Sequence, residues 1–269
     1  MAEETLTKDT KPENGTKDED FDEEDEDYPT WIRSVRSKTG LETAIEIDWP
    51  SSEPGSKISL STCLEPDDIA PMFNGTQWAG TRVWRSSIVA TQYLLQVYGD
   101  NQQTMLELGA GLGVPGMMMH ALRGWQVVLT DKDPLPKQLA ANCKANFGDE
   151  YGKSIEACGL DWSRQGVKSF CALNNPSFIQ SNFDVVLSCD CVYEPLYGLS
   201  WKLLVETMDE LLRINPACVM ITCLERRTAD GVDRFLEALQ QSDHVSNVDR
   251  LDFECQYPEV QIYRIYGCI

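Results

Sequence analysis

Between residues 104 and 266 the apolar positions fall into short runs that alternate with stretches of helical period. Thr104–Leu108, Gln126–Thr130, Ser154–Cys158, Phe183–Ser188 and Ala217–Leu224 are largely apolar runs of strand length, the pattern expected of strands buried on both faces. Between and after them, Val114–Leu122, Leu135–Phe147, Tyr197–Leu212 and Ala229–Gln240 space their apolar residues by three and four, which predicts helices. Such alternation implies a parallel sheet covered by helices on both faces. The end breaks the rhythm. Val245–Phe253 and Val260–Tyr266 have strand character but are joined by a short polar loop, with no room for a crossover helix, so an antiparallel hairpin is expected there.

Upstream, Trp84–Tyr98 shows helical spacing in Ile88, Tyr93, Leu94 and Leu95. Thr43–Asp48 and Lys57–Thr62 alternate in period two around a Pro/Gly/Ser turn, which predicts a further β-hairpin. Charge changes the picture at the N-terminus. Of the net charge of −20 in 269 residues, residues 1–30 supply half, with 13 Asp or Glu against three Lys. The segment Asp18–Asp27 (DEDFDEEDED) holds nine acids in ten residues, too repulsive and too poor in apolar groups to bury a core. The expected organisation is a disordered acidic tail over 1–27 and one domain over 28–269. Within that domain, 28–80 is an extension carrying the hairpin and 81–269 is the core.

Ten cysteines are scattered with no Cys-x-x-Cys pair, and several sit in apolar runs, where a free thiol packs as a small hydrophobe. This points to a reducing compartment, the cytoplasm and also the nucleus. The start MAEETLTKDTK lacks the basic and apolar regions of a signal peptide, and no apolar stretch reaches the roughly 20 residues of a membrane span. An acidic domain with an acidic tail argues against direct nucleic-acid binding and favours basic protein partners. Nothing in the sequence demands more than a monomer.

The candidate chemistry begins at Thr104–Gly116 (TMLELGAGLGVPG), where a strand runs into Gly109, Gly111, Gly113 and Gly116 and then a helix. Glycines there let a ligand approach the main chain while helix N-terminal amides face it. Two cofactors fit. Gly111-Leu-Gly113-Val-Pro-Gly116 matches a dinucleotide loop, with Asp131 twenty residues after Gly111 as its ribose acid. Against NAD, Glu107 just before the first glycine would repel a pyrophosphate, but it would favour a ligand carrying an ammonium and a sulfonium. The loop also follows about 100 residues of other structure, whereas a dinucleotide domain usually opens with it.

The segments LELGAGLGVPG, VVLTDKDP, LDW (160–162) and FDVVLSCDCVYEP, in this order, resemble the seven-β-strand S-adenosylmethionine-dependent methyltransferases. More narrowly, the chain from about Gly80 to its end is similar to the family 16, methyltransferase-like group of protein lysine methyltransferases. The resemblance implies a doubly wound, Rossmann-like α/β sheet of seven strands in the order 3-2-1-4-5-7-6, with strand 7 antiparallel. It implies that Glu107, Gly109 and Gly111 line the methionine part of S-adenosyl-L-methionine and that Asp131 accepts the ribose hydroxyls. Trp162 would pack on the adenine with Asp161 at its polar edge, and Trp84 would close the pocket. Plain packing explains Trp84, Trp162 and Asp161 as well. Arg85 departs from the family pattern, which bears on substrate choice.

Phe183–Pro195 (FDVVLSCDCVYEP) ends its apolar run on Cys189, Asp190 and Cys191, at the edge where doubly wound sheets bind ligands. This puts Cys189 at the cofactor edge. A zinc site would need further ligands, and only His120 and His244 are available, so the thiols read as packing and no metal is expected. Asp190 and Tyr193 match the family's Asp-x-x-Tyr segment, which implies a site for a substrate amine: a carboxylate to orient it, an aromatic wall and a hydroxyl. The expectation is methyl transfer to a lysine of a non-histone protein. The alternatives are another nucleophile (a protein histidine or arginine, or a small molecule), an NAD-binding oxidoreductase, and a non-catalytic scaffold.

Overall fold

The computed structural model describes residues 28–38, 42–51, 57–62, 79–172 and 182–268. The acidic tail, and with it the expectation of disorder, lies outside the described residues. A small antiparallel sheet comes first: β1 (Ile32–Arg36), β2 (Glu42–Asp48) and β3 (Lys57–Ser61), in that order across the sheet. The expected hairpin is β2–β3, registered from Ala44 opposite Ser61 to Asp48 opposite Lys57. β1 pairs along its other edge. Ile45, Ile47, Ile58 and Leu60 are buried from this sheet and join the same apolar cluster as Met119, Leu122 and Leu139.

The main sheet has seven strands: β4 (Thr104–Leu108), β5 (Gln126–Asp131), β6 (Ile155–Gly159), β7 (Val185–Cys189), β8 (Val219–Glu225), β9 (Val245–Leu251) and β10 (Val260–Gly267). Their spatial order is β6-β5-β4-β7-β8-β10-β9. β4 to β8 run parallel and β10 is antiparallel to both of its neighbours. Numbered within this sheet, that is 3-2-1-4-5-7-6 with the seventh strand reversed, as expected.

Side-chain alternation divides the core in two. Met105 on β4, Val127 and Leu129 on β5 and Leu187 on β7 face α1 (Arg85–Tyr98), α2 (Val114–Arg123) and α3 (Leu135–Phe147). Leu106, Leu108, Val128 and Val186 face the opposite layer, made of α4 (Arg164–Ala172), α6 (Trp201–Ile214) and α7 (Val232–Gln240). Between these last helices in chain order comes the one-turn α5 (Glu194–Tyr197).

Two expected helices start later than the pattern suggests. The stretch from Tyr197 is broken because Gly198 takes φ 57°, which no helix accommodates, so α6 begins at Trp201. Ala229 at φ 56° and Gly231 at φ 85° likewise keep α7 from starting before Val232. The chain leaves β4 towards β5 on one side and reaches β7 on the other, so the carboxyl ends of β4 and β7 form the crevice where open α/β sheets bind ligands.

Candidate active site

That crevice holds a cavity of about 390 Å³. Gly109 follows β4 in the left-handed region, φ 62°, and its missing side chain makes room: a Cβ there would lie 2.7 Å from Cys191 Sγ and 3.0 Å from Trp162 Cζ2. The turn delivers the chain into α2, whose first amides face back towards the strand.

Glu107 lies on the α1–α3 side of the sheet and is 1% exposed. Its Oε2 accepts the Gly116 N–H at 2.9 Å. Burial pushes its carboxyl up to about 8, against the pull of the Gly116 bond, and the neighbouring Asp131 charge adds to the rise. Asp131 ends β5 and is itself buried. Its Oδ2 accepts the Gly111 N–H at 2.8 Å and its Oδ1 the Lys132 N–H at 2.8 Å. Desolvation is the larger influence here too, so this carboxyl is also raised despite both bonds. Among the described residues, neither acid forms an ion pair with a lysine or arginine. Two buried carboxylates on one cavity wall therefore favour a ligand that brings a cation and hydroxyl donors.

The remaining predicted cofactor residues lie around the same space. Gly109, Gly111, Trp84, Asp161, Trp162 and Cys189 all line the cavity. Trp162 is half-buried with its ring edge against Gly109, and Asp161 is exposed at the rim. Trp84 caps the start of α1 and donates its indole N–H to Ala79 O at 2.9 Å. Burial holds the Cys189 and Cys191 thiols well above their ordinary range, and Cys191 Sγ contacts Leu108 O at 3.3 Å. Protonated thiols held this way are packing groups.

Asp190 lines the cavity, is 4% exposed, and takes the left-handed φ of 50°, uncommon for a residue other than glycine. Its N–H donates to Cys223 O and its Oδ1 accepts the Glu225 N–H at 2.9 Å, so strand β8 fixes the turn. Its Oδ2 is bound by Arg227 Nη2 at 2.9 Å, and the same nitrogen donates to Glu225 Oε2 at 2.7 Å. The Arg227 guanidinium lies 5.1 Å from the centroid of the Tyr193 ring and 5.4 Å from that of Trp84. Tyr193 is not among the residues that line the cavity; its ring lies against the Arg227 guanidinium. Arg85 reaches the other oxygen of Glu225 at 3.3 Å, which links the unexpected Arg85 to Asp190 through Glu225 and Arg227. Sequence reasoning missed Arg227 and Glu225. The available signal was the run Glu225-Arg226-Arg227 directly after an apolar strand.

Strand order and site together define an S-adenosylmethionine-dependent methyltransferase. The residues fit that cofactor, since the buried acids Glu107 and Asp131 suit an ammonium and a ribose and the Trp162 ring suits a base. A family described as lysine methyltransferase matches residues 72–242, more than half of the chain, and the chain belongs to it. The nicotinamide alternative falls with that membership.

Relatives agree in part of their length. Secreted RxLR effector protein 48 of Plasmopara viticola is 39% identical over 135 residues, covering 48% of this chain and 66% of that one. Protein N-lysine methyltransferase METTL21A of Danio rerio is 28% identical over 167 residues, 62% of this chain and 69% of that one. The chain thus spans about two thirds of the length of these two relatives. Among solved structures, mitomycin 7-O-methyltransferase MmcR matches with a TM-score of 0.48 and 14% identity, over 68% of this chain and 54% of that one, a likeness too loose to add to the argument.

Proposed function

We propose that this protein-lysine methyltransferase acts on a lysine in a basic surface of another protein, with its cofactor held between Glu107 and Asp131 and the acceptor amine at Asp190 and Tyr193. The observation that carries the cofactor placement is the pair of buried carboxylates on one wall of the cavity, each bound by backbone N–H groups and by no side-chain cation among the described residues. Bound S-adenosylmethionine supplies an electrophilic methyl on a sulfonium. Glu107, ionised by the approach of a cation, would hold the ammonium of its methionine part, and Asp131 would accept the ribose hydroxyls. Trp162 and Trp84 would exclude water from two sides of the cavity.

At the acceptor end the amine must lose a proton, since a lysine has an ordinary pKa of about 10.4 and only its free base attacks. Asp190 would orient the incoming nitrogen and Tyr193 would wall it with a ring and a hydroxyl, so rate comes from positioning. The net charge of −20 favours a basic partner and disfavours nucleic acid. We also propose a monomer in a reducing compartment, cytoplasmic or nuclear, supported by nine described cysteines that are all free. Among the described residues no helix is long and apolar enough to cross a membrane.

The test is transfer of labelled methyl from S-adenosylmethionine to proteins of a lysate, followed by mass spectrometry of the labelled peptides. Label on lysine supports the reading. Label confined to histidine, arginine or small molecules replaces the substrate class, and no label at all supports a scaffold.

A further inference from the structure

The groups assigned to the acceptor amine are already engaged by a cation of the chain itself. Arg227 is bound by the Asp190 and Glu225 carboxylates and stacked on the Tyr193 and Trp84 rings. Two carboxylates and two aromatic faces around one positive charge are the groups that recognise an alkylammonium.

The backbone beneath Arg227 is pinned. Asp230 Oδ2 accepts the Arg227 N–H at 3.0 Å and Arg226 Nε at 2.9 Å, while its Oδ1 accepts the Val232 N–H at 2.9 Å. The Arg227 side chain keeps 21% of its surface exposed, so it has a way out through its own rotamers while the loop stays fixed. It also has a reason to be in. The Asp190 side chain is only 3% exposed, and a carboxylate so buried is costly without a counter-charge. Exchanging a guanidinium for an ammonium keeps the charge of the cage constant.

We propose that Arg227 is the resting occupant of the acceptor site, a positioning residue that a substrate lysine displaces from Asp190, Tyr193 and Trp84. This rests on the methyltransferase reading above. The displaced guanidinium turns to solvent beside Glu225, and the cage then holds the substrate nitrogen. Side chains that cannot replace a guanidinium, uncharged ones above all, are refused at this step.

The experiment places an acceptor in the cage. In Arg227→Lys, incubated with S-adenosylmethionine, the new side-chain amine takes the methyl as the carbon–sulfur bond breaks. S-adenosylhomocysteine leaves, and a proton goes to water. Intact-mass and peptide analysis should find one added methyl at position 227, absent when Asp190→Asn is combined with it. In parallel, Arg227→Ala should methylate n-butylamine with a kcat/KM at least about tenfold above wild type, through a lower KM, because nothing has to be displaced.

An Arg227→Lys variant that binds S-adenosylhomocysteine yet stays unmodified at 227 overturns the proposal, as does Arg227→Ala treating butylamine no better than wild type. If Arg227→Ala fails to fold, the lysine variant decides alone. Wild type labelling lysate proteins while both variants fail refutes the role of Arg227 only. If wild type and variants all transfer nothing, the methyltransferase reading fails and takes this proposal with it.

Discussion

Asn142 on α3 and Ser61 on β3 exchange two hydrogen bonds: the Ser61 N–H donates to Asn142 Oδ1 at 2.9 Å, and Asn142 Nδ2 donates to Ser61 O at 3.2 Å. One turn further along the helix, Asn146 does the same with Ser59, at 2.9 and 2.8 Å. Side-chain amides thus take the place of a neighbouring strand along the outer edge of β3, which would otherwise present open backbone groups. Asn142→Leu keeps the size but leaves the Ser61 N–H without its acceptor, while the Ser61 carbonyl keeps the Gln138 amide as its donor. The expected loss is about 1–3 kcal/mol, or about 2–4 °C of Tm per kcal/mol for a domain of this size. Thermal melting, with faster amide exchange confined to Ser59–Ser61, checks it.

Glu107 sets a pH dependence. Its carboxyl ionises near 8 in the fold and at an ordinary 4.5 in the unfolded chain. As pH rises from 4.5 to 8 the unfolded chain releases a proton that the fold keeps, so Glu107 lowers stability progressively across that window and no further above it. Glu107→Gln should therefore raise the Tm of the cofactor-free protein, with a gain over wild type that grows from pH 5 to pH 8. The same substitution should weaken S-adenosylhomocysteine binding. For wild type, calorimetry near pH 7 should show proton release on binding and an affinity that climbs with pH. The climb should level off above about 8, where the Glu107 carboxyl is already ionised in the free protein. A flat affinity profile would remove Glu107 from the cofactor.

Asp131→Ala should cost about 1.5–3 kcal/mol of S-adenosylhomocysteine affinity, the worth of charge-assisted bonds to hydroxyls. Because Asp131 also holds the Gly111 N–H, part of that loss comes from the turn. Asp131→Asn, which keeps an acceptor for that amide, should recover a portion. Isothermal titration of both variants separates the two contributions.

Tyr193→Phe and Asp190→Asn should leave cofactor affinity near wild type while lowering methyl transfer, on the order of 100-fold for Asp190→Asn. The asparagine is preferred to alanine because Asp190 Oδ1 also receives the Glu225 N–H, and an amide oxygen can still accept it. Full activity in Asp190→Asn would move the amine elsewhere.

The parts of this molecule that were legible in the sequence are those with a local signature. β4 is buried on both faces and reads as the apolar run Thr104–Leu108, with the same bounds in the fold. The glycine loop announces itself because a backbone turn needs residues without a Cβ. β1 (IRSVR) has only Ile32 fully buried and is made by pairing with β2. α4 buries only Val167 and Phe170, too little for a period to show. Arg227 was illegible for a different reason. Its partners come from Trp84, from Asp190 and Tyr193, and from Glu225, three separate segments that only the fold brings to one charge.

The position of β10 governs how the chain can be made. Among the described strands it follows all the others in chain order, yet it lies between β8 and β9 and pairs with both. Until residues 260–267 emerge, β8 and β9 each wait with an unfilled hydrogen-bonding edge, and β9 has no place in the sheet. Completion is an insertion into an interior slot, a late and non-local event of the kind that slows folding and exposes intermediates to aggregation. A nascent chain stalled before Val260 would carry every group of the cofactor cavity and still present two sticky edges. Loss of Val260–Gly267 should therefore harm this protein through chaperone capture and degradation, with no residue of the cofactor cavity removed.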